Sequence, residues 1–208
     1  MKKYFITGIG TDVGKTVASA ILVETLQADY WKPIQAGDLH QTDTMTVKNL
    51  VSNKQSVFHP ETYRLTKPMS PHAAAMHDGI QINLDNIIPP KHTRTLIIEG
   101  AGGLMVPLNK DFLIIDLIEK LNAEVILVSQ NYLGSINHTL LSVEALQKRN
   151  IPVKGIIFNG KPLDTTENFI HEYTRLNFLF RINNEPTIDR QTILKYASNP
   201  NTKTKIAW

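Results

Sequence analysis

Close to the amino terminus, the stretch YFITGIGTDVGKTVASAILVETL passes from an apolar strand through a glycine-rich turn into a helix-forming segment. Few arrangements use glycine at a strand end followed at once by Gly14-Lys15-Thr16. In a phosphate loop, backbone N–H groups of the turn and of the helix start point at phosphate oxygens. A lysine at position 15 then neutralises the β- and γ-phosphates, and a hydroxyl at position 16 ligates Mg²⁺. The usual spacing G-x-x-x-x-G-K-[ST] would need glycine where Ile9 stands; counted from Gly8 the run is G-x5-G-K-T, one residue longer. A plain glycine turn before an ordinary helix accounts for the glycines and poorly for Lys15-Thr16 at that place. A strand, loop and strongly amphipathic helix of this kind commit the chain to an α/β sheet.

The remaining pattern supplies that sheet. Short β-branched runs at 3–7, 30–34, 95–99, 125–129 and 155–159 alternate with segments of helical period at 15–27, 114–121, 136–148 and 166–175. The expected fold class is α/β: a P-loop NTPase-like, mostly parallel sheet with helices on both faces. At 208 residues and 42% hydrophobic content, the chain suits a single domain spanning 1–208. Residues 35–94 are less regular, with turns at KPMSPH and IIPPKH around two short helices. The terminal YASNPNTKTKIAW is polar and is expected to be peripheral.

Composition narrows the partners. The net charge of +3 arises from 22 basic and 19 acidic residues with no block of one sign, which argues against a nucleic-acid partner. The absence of cysteine excludes disulfides, thiolate-bound zinc and a cysteine nucleophile, and fits a reducing compartment. Lys2-Lys3 is followed only by the short apolar run 4–6, too little for a signal peptide, and no apolar stretch approaches membrane-spanning length. A cytoplasmic protein without a membrane partner is expected.

Further chemistry should collect where the strands end. In TLIIEGAGG a buried strand leads to Glu99 and then to a flexible Gly100-Ala101-Gly102-Gly103, so that a carboxylate faces the crevice in which parallel sheets bind ligands. Lys32 closes the second strand, and Asp43 follows in a polar loop where Thr42-Asp43-Thr44 also has the makings of a helix start. Together Lys15, Lys32, Thr16, Asp43 and Glu99 would bring two cations and three oxygen donors to one sheet edge. Gly134-Ser135 opens a helix whose free N–H groups can receive a carboxylate, with an ordinary cap as the alternative. Asn159, before Gly160, can read an adenine edge or serve the turn. The seven histidines show no metal spacing, and no G-x-S-x-G elbow occurs.

Taken in order, TGIGTDVGKTVAS, KPIQAG, SPHAA, IIEGAGGLMVPL, LGSINHTLL and FNG resemble the dethiobiotin synthetase family, over most of residues 4–160. Its phosphate loop also runs G-x5-G-K-T. The resemblance implies an ATP-dependent ligase of biotin biosynthesis that inserts CO₂ between the two amines of 7,8-diaminopelargonate, and a homodimer with active sites near the subunit interface. It implies that Thr16, Asp43 and Glu99 ligate Mg²⁺ and that Lys15 and Lys32 surround the transferring phosphate as catalytic residues. Asp12, Val13, Gly14, Val17, Gly100, Ala101, Gly102, Asn159 and Gly160 would complete the ATP site. Ala36, with Gly134, Ser135 and Asn137 of the neighbouring subunit, would contact the diamine acid.

Two departures from the family accompany this likeness. Ala36 lacks the hydroxyl that relatives often carry there, leaving only backbone contact, and FLFRINNEP replaces a glycine-x-hydrophobic-proline segment that touches the nucleotide. Base selectivity therefore stays open. Asp12, an acid inside a phosphate loop, is expected to face a substrate amine or a metal-bound water. Two other classes share these motifs: a nucleotide-switch ATPase of the partitioning type, and an amidating or carboxylating ligase acting on a larger acid.

Overall fold

A computed structural model describes residues 1–207. In chain order its strands are β1 (Lys3–Gly8), β2 (Asp29–Trp31), β3 (Ile34–Ala36), β4 (Phe58–His59), β5 (Tyr63–Leu65), β6 (Leu96–Gly103), β7 (Glu124–Gln130), β8 (Val153–Asn159) and β9 (Phe178–Ile182). The helices are α1 (Lys15–Leu26), α2 (Asp43–Leu50), α3 (Pro71–His77), α4 (Ile114–Leu121), α5 (Ser135–Lys148), α6 (Asp164–Thr174), α7 (Arg190–Ser198) and α8 (Pro200–Ala207), with a short 3₁₀ turn at Leu84–Asn86. The main sheet has seven strands in the order β4-β2-β6-β1-β7-β8-β9, all paired parallel. β3 and β5 form a second, two-stranded parallel sheet.

The alternation of side chains along a strand explains why both faces need helices. In β1, Tyr4 and Ile6 point into a core shared with α1, α2, α7 and α8, whereas Phe5 joins the opposite core with α3 and α4. β6 repeats this with Ile97 on the first face and Leu96 and Ile98 on the second. In β7, Ile126 and Val128 face α1, and Leu127 meets Val143 of α5 and Ile170 of α6. A strand buried on both faces is apolar at most consecutive positions, which is why these runs stand out in the sequence.

Four expectations change in the structure. The run 30–34 is not one strand: it breaks at Lys32-Pro33, because proline lacks the N–H a ladder needs and bars its predecessor from many conformations. The chain leaves the main sheet there and restarts as β3. Gly100–Gly103 is not a free loop but the end of β6, pairing Gly103 with Gly8 after an irregularity in register. The helix after the phosphate loop is not strongly amphipathic. Ala18, Ala20, Ile21, Leu22 and Val23 are all fully buried because α7 and α8 cover the side that would otherwise meet water. The carboxyl-terminal segment is correspondingly not peripheral, since Ile193, Tyr196 and Ile206 enter the α1 core and Thr202 is buried. In α7 and α8 the apolar positions are sparse, so packing against α1 makes them part of the core rather than any strong helical signature of their own.

Candidate active site

The turn between β1 and α1 is shaped by backbone that only small residues tolerate. Gly14 caps α1 at φ 97°, and a Cβ there would lie 2.4 Å from Asn159 Nδ2. At Gly8 a Cβ would stand 2.4 Å from Val13 Cγ2. Lys15 opens α1 and curls back over the turn, donating from Nζ to the Gly10 carbonyl at 3.1 Å. Burial lowers its pKa, Glu99 opposes that change, and the positive charge of Lys32 adds to it.

Five predicted side chains converge beside this turn. Thr16 Oγ1 donates to Glu99 Oε1 at 2.9 Å and lies 3.2 Å from Asp43 Oδ1. Lys32 Nζ stands 2.7 Å from Asp43 Oδ2 and 3.3 Å from Glu99 Oε1, and also reaches the Gly100 carbonyl at 3.3 Å. Burial alone would lower the Lys32 pKa; Glu99 and then Asp43 outweigh it and leave the ammonium raised above its ordinary value. Asp43 is the first residue of α2, and Thr42 is the cap, accepting from Met45 N at 3.2 Å.

Two residues in this network carried no functional expectation. The Tyr30 hydroxyl donates to Glu99 Oε2 at 3.0 Å, and burial followed by the charge of Glu99 raises the phenol well above its usual pKa. Gln35 accepts from the Asp43 backbone N–H at 3.2 Å and donates to the Gly37 carbonyl at 3.0 Å, bracing the loop that carries Asp43. The sequence signal for Tyr30 was only that a phenol buried in a strand needs a partner; nothing local says which.

Lys15, Thr16, Lys32, Gln35, Asp43 and Glu99 line a cavity of about 700 Å³ that also includes Asp12, Gly14, Val17, Ala36, Gly100, Ala101 and Gly102. Val13 is buried and offers only backbone: its carbonyl accepts from Asn159 Nδ2 at 2.9 Å. Asn159 and Gly160 therefore abut the turn from the β8 side without lining the cavity. In the divergent FLFRINNEP segment, Ile182 accepts from Gly160 N–H at 2.8 Å, and Asn184 Oδ1 would lie 3.6 Å from a Cβ at position 160.

Gly134, Ser135 and Asn137 are not brought to the cavity. They form the cap and first turn of α5, with Gly134 and Asn137 exposed and Gly134 at φ 106° as cap, so Ser135 is not the cap residue. Ser135 is buried, and its hydroxyl has no hydrogen-bond partner. Further along α5, His138, Leu141, Ser142 and Ala145 line an apolar groove of about 530 Å³ with Ile9, Leu104, Met105 and Val106. Thr11 and Val106 border both spaces, so polar cavity and apolar groove adjoin.

The donor set suits a hard cation. Thr16, Asp43 and Glu99 offer only oxygen, and with two carboxylates among them the remaining ligands would come from phosphate and water, since the described residues hold no group of three or more His, Cys, Asp or Glu that could bind a metal ion by itself. Mg²⁺ is bound in this manner, by one or two carboxylates with phosphate oxygens and water completing six ligands.

Comparisons with known proteins show the family. The AAA domain family matches residues 2–192. The ATP-dependent dethiobiotin synthetase BioD of Christiangramia forsetii is 57% identical over 94% of this chain and 94% of its own, and that of Cytophaga hutchinsonii is 51% identical over 95% and 96%. Among solved structures, a ParA family ATPase from Chlorobium tepidum aligns with all of this chain and 98% of its own at a TM-score of 0.56 and 13% identity, a likeness of fold alone. With half of all positions shared along nearly the whole length, and the long G-x5-G-K-T loop folded against Glu99 and Asp43, the chain belongs to the ATP-dependent dethiobiotin synthetase family.

Proposed function

We propose that this protein closes the ureido ring of dethiobiotin, joining CO₂ to the two neighbouring amines of 7,8-diaminopelargonate at the expense of ATP, and that it works in the cytoplasm. The observation that carries the proposal is the meeting of Lys15, Lys32, Thr16, Asp43 and Glu99 in one cavity that opens onto an apolar groove. Diaminopelargonate has matching parts: a charged diamine and an apolar chain.

The triphosphate lies on the turn 8–16, its charge met by loop N–H groups and Lys15, and Asn159 stands towards the adenine. Mg²⁺, held by Thr16, Asp43 and Glu99, would neutralise phosphate charge and fix the phosphates for transfer. One amine captures CO₂ as a carbamate, whose oxygen attacks the γ-phosphorus and displaces ADP. The second amine then attacks the carbamate carbon of this mixed anhydride, releasing phosphate and closing the ring. Lys32, buried between two acids, is positioned to stabilise the carbamate and the phosphoryl charge as they develop. No protein nucleophile is needed, because positioning and charge neutralisation dominate such transfers.

The carboxylate end of the substrate is assigned to Gly134, Ser135 and Asn137 of a second copy. Their distance from the cavity in this chain, and the apolar groove beside α5 with Met105 and Leu141 more than half exposed, support a homodimer in which the two halves of each site come from different subunits.

The test is phosphate release from ATP with and without diaminopelargonate and bicarbonate. Release that depends on both supports the proposal; release stimulated only by a protein or DNA partner would favour a nucleotide switch, and by ammonia with a polycarboxylic acid an amidating ligase.

A further inference from the structure

The carboxylate of Glu99 has two oxygens with different surroundings. Oε1 faces the cavity, 2.9 Å from Thr16 Oγ1 and 3.3 Å from Lys32 Nζ. Oε2 faces away and accepts from the Tyr30 hydroxyl at 3.0 Å. Tyr30 is fully buried and Glu99 only 1% exposed, so no water competes for this bond. β2 and β6 are neighbours in the sheet, with Tyr30 opposite Ile97, and the Tyr30 ring packs beside Phe58 at 6.1 Å between centroids. Tyr30 lines neither the polar cavity nor the apolar groove.

We infer that Tyr30 is a positioning residue for the metal side of the reaction: its phenol holds one oxygen of Glu99 and thereby presents the other alone to the cation. The inference rests on Glu99 being a ligand, as proposed above. The physical reason is the softness of the last carboxylate torsion, which has broad minima and does not fix itself. An ionised carboxylate only accepts, and the phenol in the adjacent strand is held by core packing, so a bond between them sets the carboxyl plane. Partners that orient a ligand in this way contribute to metal affinity without touching the metal. If the hydroxyl merely satisfied a buried tyrosine, its loss would lower stability and leave cation binding unchanged.

The experiment is calorimetric titration of ATP into protein at a series of Mg²⁺ concentrations, without diamine, together with ATP binding in EDTA. In Tyr30→Phe, which keeps the ring against Phe58, the Mg²⁺ affinity is expected to fall about 10- to 100-fold with ATP binding in EDTA unchanged. An unchanged Mg²⁺ affinity overturns the inference, and so does an equal loss in EDTA. Glu99→Gln separates the two layers. If it too binds Mg²⁺ normally, the metal assignment itself falls; if it is impaired while Tyr30→Phe is normal, only the role of Tyr30 falls. Should Tyr30→Phe leave the buried acid too poorly partnered to fold, Glu99→Gln is compared with Tyr30→Phe/Glu99→Gln, where that charge is gone. Equal Mg²⁺ dependence in these two is expected, and a further loss on removing the hydroxyl overturns the inference.

Discussion

Lys32 is 4% exposed and held between Asp43 and Glu99, so its charge is kept by partners rather than by water. Such a cation can follow charge as it develops on transferring phosphate. Lys32→Gln is expected to lower kcat by about 10²–10³-fold while ATP affinity changes little; an equal loss of both, measured by turnover and equilibrium binding, would mark a ground-state contact instead. Gly14 presents the opposite situation, where the backbone itself is the functional element. Gly14→Ala places a Cβ against Asn159 at φ 97°, and the left-handed conformation alone costs about 1–2 kcal/mol. Urea denaturation should show a loss of at least that size, accompanied by weakened ATP binding. Asp12 lines the polar cavity from an exposed position at φ 57°. If it faces a substrate amine, Asp12→Asn raises the KM for the diamine; an unchanged KM rejects that contact.

At the scale of elements, β7, β8 and β9 are fastened at their carboxyl ends by one buried carboxylate. Glu167 of α6 forms a two-pronged pair with Arg181 of β9 and accepts from the Leu163 N–H at 3.2 Å. Asn131, following β7, donates both to Glu167 and, at 3.0 Å, to the Lys161 carbonyl. This cluster supports the loop that begins with Asn159-Gly160. Burial alone would raise the Glu167 pKa; Arg181, Asn131 and the Leu163 amide outweigh it and hold the carboxyl below its ordinary range. A group with a lowered folded pKa contributes stability above its unfolded value and loses it as pH falls through the folded one. Melting temperatures of wild type and Glu167→Gln should therefore differ at neutral pH and converge as the pH falls through and below the ordinary carboxylate range. A gap that persists in acid would assign the effect to packing.

For the whole molecule, the distribution of site residues matters more than any one of them. The proposed nucleotide side is the cavity around Lys15, and Asn137 lies exposed on α5 outside it. Lys15→Ala and Asn137→Asp are each expected to be nearly inactive. If the proposed homodimer forms, unfolding the two together and refolding them as a mixture makes half of the dimers mixed, and each of those regains one intact site. About a quarter of the wild-type activity should then return. Additive residual activity, with no recovery on mixing, would confine the site to one chain.

Local sequence determined the parts of this protein whose residues are neighbours along the chain. Gly14-Lys15-Thr16 had to follow a strand and open a helix, and the doubly buried strands had to be apolar over most consecutive positions, so the phosphate turn and the parallel sheet were readable directly. Glu99 was readable as an acid on an apolar strand, though within β6 and not at its end, and Asp43 as one at a helix start, but their union with Thr16 spans 83 and 27 residues and exists only because parallel strands deliver distant segments to one edge. Asn159 meets Val13 across 146 residues for the same reason. Tertiary packing alone decided that α7 and α8 would bury α1, that a tyrosine in β2 would grip the acid of β6, and that the cap of α5 would stand outside the cavity. None of these has a local signature, because each depends on which surfaces remain to be covered once the sheet has formed.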